Sequence, residues 1–426
     1  MVDGRETGVE HGGRVVDALL RRRLEHAPVV VLEGPRGAGV TTAATHAAGH
    51  TWRLASDDYA RQLVDMSPRI LFAERQPVHF DEWQEAPHLL GRAVELAAAD
   101  AEGAVKLLLS GHCTPREAEL RETRGGLVSW LRMRPMSLWE SGHSTGQVRL
   151  SRLFAGEEVA APEPDLDAHD LFERMVVGGW PSLQGVAEPK ARRWLRDHLL
   201  TLVRTDLPAQ GVRRGPDDLR RLVAALATGV GTEQKHVTVA RGMAAPGAVT
   251  PRSETVAEYV AALRRLLLLE DVGAWAPPMR SAAALRRTPR RFFTDPSIGL
   301  AALGLGSDAL KRDLALAARH FEALALRDLR TYADTLDGTV HHVRDNNGRA
   351  VDLVVALPDG SWGAVQVRMN PAGVDAAASG LKWLATKVDT RAGHPGPSFL
   401  AVVTGTGPAA TRPDGVRVVP IGAFAP

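Results

Sequence analysis

The chain has 426 residues, 44% hydrophobic and 24% charged, with a formal net charge of +2. That is enough apolar material for two or three separately packed cores, and a balance this near neutrality excludes capture of nucleic acid by a global field, leaving only local patches. One cysteine, Cys113, excludes an internal disulfide framework and an all-cysteine metal site; it suits a reducing compartment, so the expected location is cytoplasmic. No apolar run approaches the roughly 20 residues of a membrane span. The polar opening "MVDGRETGVEHGG" lacks the apolar core of a signal peptide and reads as a flexible tail over residues 1–13.

From residue 14 to about 154, short apolar runs alternate with amphipathic stretches: "VVVLEG", "VTTAATHAAG", "PVHFDEW", "LLGRAVELAAADA" and "VKLLLSG". Strand and helix alternation of this kind predicts a parallel sheet covered by helices. The Pro-rich, acidic "AGEEVAAPEPDLD" at 155–167 reads as a linker. Residues 165–312 then read as mostly helical. In "SETVAEYVAALRRLLLLEDV", Val256, Tyr259, Val260, Leu263, Leu266 and Leu267 fall on one helical face, with Thr255 and Glu258 spaced as a capping box. Helices with one small ribbon fit a winged-helix-like module, and a plain helical lid fits too. Residues 313–426 run helix, three strands, helix, two strands, with Asn347-Gly348 predicted as a type I′ hairpin turn.

The chemistry concentrates in the first third. "GPRGAGVT", Gly34 to Thr41, matches G-x-x-x-x-G-K-[ST] except that Val40 stands where lysine belongs. It follows a strand and opens a helix, so its main-chain N–H groups and the helix N-terminus attract phosphate whatever the side chains are. The expected nucleotide-binding residues are Gly34, Pro35, Arg36, Gly37, Ala38, Gly39, Val40, Thr41 and Thr42. Val40 supplies no ammonium for the β- and γ-phosphates. One unit-charge contact at about 4 Å and an effective dielectric near 20 is worth roughly 4 kcal/mol as an upper figure, as much as about a thousandfold in affinity or rate. Asp81-Glu82 closes the strand "PVHFDEWQ", and Ser110 ends the strand "LLLSG". With Thr41 they form the expected site for magnesium and catalysis: Thr41 and Asp81 on the metal, Glu82 polarising water, Ser110 sensing the γ-phosphate. His112 and Cys113 have no second pair at ligand spacing, so they read as structural rather than metal-binding.

Together with "LRMRPMSLWESG", "VVGGWPSL", "LLLLEDVGAWAP", "FTDPSIG", "FEALALRDL" and "VDLVVALPDGSWGAVQV", these phrases resemble prokaryotic AAA-type ATP-binding proteins that carry a C-terminal domain of unknown function. The resemblance covers nearly the whole chain from about residue 14. It implies an α/β fold with three parts: an AAA-like P-loop parallel-sheet domain, a helical or winged-helix-like middle domain, and a mixed α/β C-terminal domain like restriction endonucleases of the PD-(D/E)xK kind. ATP and Mg²⁺ are the implied cofactors. Two departures weaken turnover: Val40, and Leu127 where the family has an arginine just before the "LRMRPMSL" phrase; Arg124 is close but out of register. The nuclease-like positions are Glu322, Asp352, Gln366 and Arg368, of which Gln366 is a poor metal ligand and Arg368 cannot exchange a proton as lysine does. The reading is therefore nucleotide binding with hydrolysis reduced or lost and the nuclease site degenerate. The alternatives are a working ATPase recruiting a cation such as Arg36, and a non-catalytic scaffold for DNA or protein. For DNA, the candidate patch is Arg280, Arg286, Arg287, Arg290 and Arg291, though with no aromatic interleaving or base-reading motif beside them the stretch reads sooner as a solvated loop.

Overall fold

The computed structural model describes residues 13–100, 102–115, 126–212, 215–245, 250–277, 286–390 and 394–426. They form two compact units: one of the residues up to Pro135 with Trp180–Ser182 and Ala261–Leu268, the other of Met136–Gly179, Leu183–Val260 and Leu269–Pro426.

In the first unit the order is α1 (Val15–His26), β1 (Val29–Glu33), α2 (Val40–Ala47), β2 (His50–Arg53), α3 (Asp58–Met66), α4 (Pro68–Phe72), β3 (Val78–Asp81), α5 (Leu89–Ala99), β4 (Leu107–Gly111) and β5 (Val128–Arg132). The five strands make one parallel sheet in the order β2-β3-β4-β1-β5. Every residue of β1, β3 and β4 is buried, as expected of strands covered on both faces, whose sequences read as continuous apolar runs rather than alternating ones. On one face Val29, Val31, Phe80, Leu107 and Leu109 pack with Leu89, Leu90, Ala93 and Val94 of α5 in one core, and full burial of each large side chain is worth about 1.5–3 kcal/mol. The helix after β1 leads to the far edge of the sheet and the chain then returns strand by strand, which leaves a crevice at the carboxyl end of β1, where open α/β sheets bind ligands. β2, α4 and β5 are too short or irregular to show a period; α3 does show one, with Ala60 and Val64 four residues apart and buried, but no element was predicted at any of the four.

The second unit contains β6 (Val148–Arg149), α6 (Leu150–Phe154), β7 (Ala160–Ala161), α7 (Ala168–Val177), α8 (Glu188–Thr201), a π-helical turn, α9 (Leu207–Ala209), α10 (Pro216–Thr228) and α11 (His236–Gly242). α12 (Ser253–Arg265) follows, its last residues belonging to the first unit. Next come β8 (Leu269–Val272), β9 (Arg290–Phe293), α13 (Pro296–Ala302), α14 (Ser307–Arg312), α15 (Leu314–Asp334), β10 (Thr339–Arg344), β11 (Ala350–Ala356), β12 (Trp362–Arg368), α16 (Val374–Lys387), β13 (Phe399–Thr404), β14 (Ala409–Thr411), β15 (Arg417–Pro420) and β16 (Phe424–Ala425). All six apolar residues predicted for one helical face are buried, but α12 ends at Arg265, so Leu266 and Leu267 lie past it, Leu267 with φ 60°. The helix starts at Ser253, however, so Thr255 lies inside its first turn and does not cap it. A seven-stranded sheet runs β10-β11-β12-β13-β15-β14-β7, antiparallel from β10 to β12 and parallel from β12 through β13 to β15.

Two local expectations are corrected. The 155–167 stretch is an edge of this sheet rather than a free linker: β7 pairs with β14, Val159 N–H donates to Thr411 Oγ1 at 2.7 Å, and Glu163 accepts from Gly407 N–H at 2.8 Å. Proline and charge favour an edge strand as readily as a loop. The β10–β11 turn is not type I′, which needs positive φ at both central residues. Among the described residues Gly348 has φ 86° and Asn347 has not. Asp345 Oδ1 accepts from Asn347 N–H and Arg349 N–H at 2.9 and 2.8 Å, holding a longer turn.

Several phrases of the family resemblance meet in one buried polar knot. Asp295 accepts from Gly179 N–H (2.9 Å), Arg327 Nη1 (2.8 Å) and the Ser297 hydroxyl (2.6 Å). Arg327 also donates to Asp328 (2.8 Å), which accepts from Leu138 N–H (3.0 Å). Buried charge is tolerated only when paired and hydrogen-bonded like this.

Candidate functional site

The crevice at the end of β1 is shaped by glycine. A Cβ on Gly34 would lie 2.4 Å from the Met133 carbonyl oxygen and 2.8 Å from Val40 Cγ2. Gly37 and Gly39 hold φ of 88° and 99°, a left-handed conformation that costs a Cβ-bearing residue about 1–2 kcal/mol. Ala38 N–H closes the turn onto the Pro35 carbonyl at 3.0 Å. Gly39 is the N-cap of α2, and no side chain caps the helix, which leaves its first-turn amides without a side-chain acceptor, the arrangement that suits an anion. Arg14, which the sequence reading passed over, staples the loop: it donates to the Ala38 carbonyl at 2.9 Å and to the Arg134 carbonyl at 2.7 Å. Val40 is 7% exposed and lies against Gly34, so it packs the base of the loop and brings no charge.

β4 lies between β1 and β3, with Ser110 in register with Leu32 on one side and Asp81 on the other. This brings Thr41, Asp81 and Ser110 together: Asp81 Oδ1 accepts from Thr41 Oγ1 and from Ser110 Oγ, each at 2.9 Å. Since the Ser110 proton goes to Asp81, its oxygen accepts from His79 Nε2 at 2.8 Å, and His79 Nδ1 accepts from Thr51 Oγ1 at 3.2 Å. His79 is fully buried, and burial, helped by the charge of Arg53, pushes its pKa down to about 3. It is therefore a neutral hydrogen-bond relay. Its 3.9 Å approach to Asp81 is not an ion pair.

Glu82 sits at φ 58°, ψ 48°, a left-handed conformation uncommon for a non-glycine residue and frequent at functional sites. Its Oε2 lies 2.6 Å from His112 Nδ1 and also accepts from Gln84. Arg36 Nη2 lies 2.8 Å from His112 Nε2. Arginine only donates, so Nε2 accepts and Nδ1–H is given to Glu82. Burial raises the Glu82 pKa, but the hydrogen bonds from His112 and Gln84 and the charge of Arg36 outweigh it and hold the carboxyl below its ordinary value. His112 thus belongs to the site by hydrogen bonding. Among the described residues no group of three or more His, Cys, Asp or Glu is placed to hold a metal. The Thr41 hydroxyl and Asp81 carboxylate nevertheless fit Mg²⁺, which takes one or two carboxylates and completes its shell with phosphate and water. Leu127 packs against the sheet core, and its carbonyl accepts from Val29 N–H at 3.2 Å. It adds no cation; Arg124 lies outside the described residues.

The nuclease-like positions also come together, with an unforeseen member. Asp352 accepts from Val367 N–H (2.9 Å) and Arg368 Nη1 (2.8 Å). Gln366 donates to the Ala350 carbonyl at 2.8 Å, its buried Oε1 having no hydrogen-bond partner. Arg290 grips both oxygens of Glu322, at 2.5 and 2.8 Å, and donates to the Gly231 carbonyl at 2.7 Å. Two guanidiniums balance the two carboxylates. The basic patch is corrected by the same contacts: Arg290 is turned inward, and Arg291 is 7% exposed and paired with Asp271 at 3.2 Å. Arg286 faces Glu233 at 3.6 Å, Arg287 is exposed, and Arg280 lies outside the described residues.

A family described as a domain of unknown function (DUF8612) matches residues 168–309. No curated protein matches. Among solved structures, C. elegans PCH-2 is similar at 15% identity over 33% of this chain and 45% of that one, with a TM-score of 0.19. A Signal Transduction ATPase with Numerous Domains (STAND) protein with a tetratricopeptide repeat sensor from Pyrococcus horikoshii is similar at 11% identity over 76% of this chain and 50% of that one, with a TM-score of 0.20. The chain spans half or less of the length of these neighbours, and superpositions this loose carry no weight for function. Among the described residues no helix is long and apolar enough to cross a membrane.

Proposed function

We propose that the first unit is an AAA-type P-loop domain that binds ATP with Mg²⁺ and hydrolyses it slowly or not at all. The observation that carries this reading is the convergence of Thr41, Asp81 and Ser110 on one hydrogen-bonded point beside the uncapped start of α2. The amides of the loop and of α2 hold the phosphates, while Thr41 and Asp81 hold the metal, which neutralises phosphate charge when bound. Weak turnover follows from Val40, which removes the ammonium, from Leu127, which adds no arginine, and from the tie between Glu82 and His112. In the second unit, α10 to α12 with the β8–β9 ribbon support a winged-helix-like module. α15, β10 to β12, α16 and β13 support a nuclease-like module whose acidic site is neutralised by Arg290 and Arg368 and serves as scaffold. A cytoplasmic location is the companion proposal, resting on the single cysteine.

Calorimetric titration of the whole chain with ATP and Mg²⁺ tests the proposal: saturable heat is expected, and none at millimolar ATP ends it. Phosphate release equal to that of a Glu82→Gln variant is the expected sign of negligible turnover. A second reading, a working ATPase with a substitute cation, is favoured by one observation, the reach of Arg36 to His112 beside Glu82. Release well above the Glu82→Gln background selects it.

A further inference from the structure

We propose that Arg36 is the residue by which this site distinguishes a nucleoside triphosphate from a diphosphate, and that His112 is the acceptor Arg36 leaves when a terminal phosphate arrives. The inference rests on the nucleotide reading above and deepens it. From Gly34 to Thr41 the loop carries one charged residue, Arg36. With Val40 in place of lysine, the loop's other donors are main-chain amides and the Thr41 hydroxyl, which is turned to Asp81, and none of these by itself singles out the terminal phosphate. The Arg36 side chain runs from the loop to His112, just beyond the end of β4, and His112 is bonded in turn to Glu82. The guanidinium therefore spans from the phosphate loop to the acidic edge, the interval a terminal phosphate occupies if Glu82 is to face its attacking water.

The exchange has a favourable direction. A phosphate oxygen offers the guanidinium a charge-assisted bond, roughly twice as strong as a neutral one, in a planar geometry that it matches. Arg36 is exposed. The hydrogen bond from His112 Nδ1 to Glu82 remains while Nε2 loses its donor, which gives the event a local reporter.

The test uses the full chain with Mg²⁺, comparing ADP with the β,γ-imido analogue of ATP, which removes turnover from the measurement. The wild type is expected to bind the analogue more tightly than ADP. Arg36→Ala should weaken the analogue about tenfold or more while changing ADP less than twofold, and Arg36→Lys should restore part of the difference. The ¹⁵N resonance of His112 Nε2 should move with the analogue and stay in place with ADP. Equal losses for both nucleotides in Arg36→Ala, or a His112 resonance indifferent to bound analogue, overturns the inference and leaves nucleotide binding standing. Failure of the wild type to bind either nucleotide overturns the nucleotide reading and this inference with it.

Discussion

Glu33, the last residue of β1 and the one before the glycine loop, provides a quantitative test. It is 4% exposed, accepts from Thr114 Oγ1 at 2.9 Å through Oε2, and keeps Oε1 buried with no hydrogen-bond partner. Burial, only partly opposed by the Thr114 hydrogen bond and the charge of Arg132, raises its pKa from 4.5 to about 7. Between those values the folded chain binds a proton that the unfolded chain has lost. The contribution to stability is therefore full below about pH 4.5, declines as pH rises, and is gone above about pH 7, a change of roughly 3 kcal/mol. Glu33→Gln removes the titration. Urea unfolding of both proteins from pH 4.5 to 8 should give a difference that changes by about that amount, with the wild type losing ground as pH rises. His79, neutral in the fold, pulls the other way, but it is common to both proteins and cancels. The same proton matters to the loop, since an ionised Glu33 would put negative charge beneath the phosphates; ATP affinity should fall as pH rises through 7 in the wild type and less in the variant. Parallel stability curves, or a Glu33 carboxyl carbon titrating near 4.5 by NMR, would refute the reasoning.

Val40→Lys should raise ATP affinity by tenfold or more, below the limit of roughly 4 kcal/mol for a close charge pair, as read by calorimetry; unchanged affinity would mean that the loop base has no room for the longer chain. Breaking the Arg290–Glu322 pair one side at a time, with Arg290→Met or Glu322→Gln, should cost about 3–5 kcal/mol each, and the double variant should recover much of it. Additive losses in thermal unfolding would show that the pair is not a closed unit. Gly179→Ala should destabilise by about 2–4 kcal/mol, because a Cβ there would lie 2.0 Å from the Met136 carbonyl and 2.9 Å from Arg327 Nη1; a melting temperature within a degree of wild type would contradict that geometry.

Short-range pattern made much of this protein legible in one dimension. The apolar run of β1, the glycines of the loop, the buried face of α12 and the succession from α15 to α16 each express a constraint acting over a few residues: full burial, positive φ, or a helical period. Short or irregular elements such as β2, α4 and β5 escaped because their residues obey no period long enough to read. The partnerships needed the folded chain. Arg36 and His112 are 76 residues apart, Arg14 and Ala38 are 24 apart, Arg290 and Glu322 are 32 apart, and Val159 and Thr411 are 252 apart. Composition marks each as a charged or polar residue with many possible neighbours, and only the strand order and helix placement choose among them. That is why an arginine assigned to a surface patch became an internal counter-ion, a linker became a sheet edge, and a histidine set aside became the link between the glycine loop and Glu82.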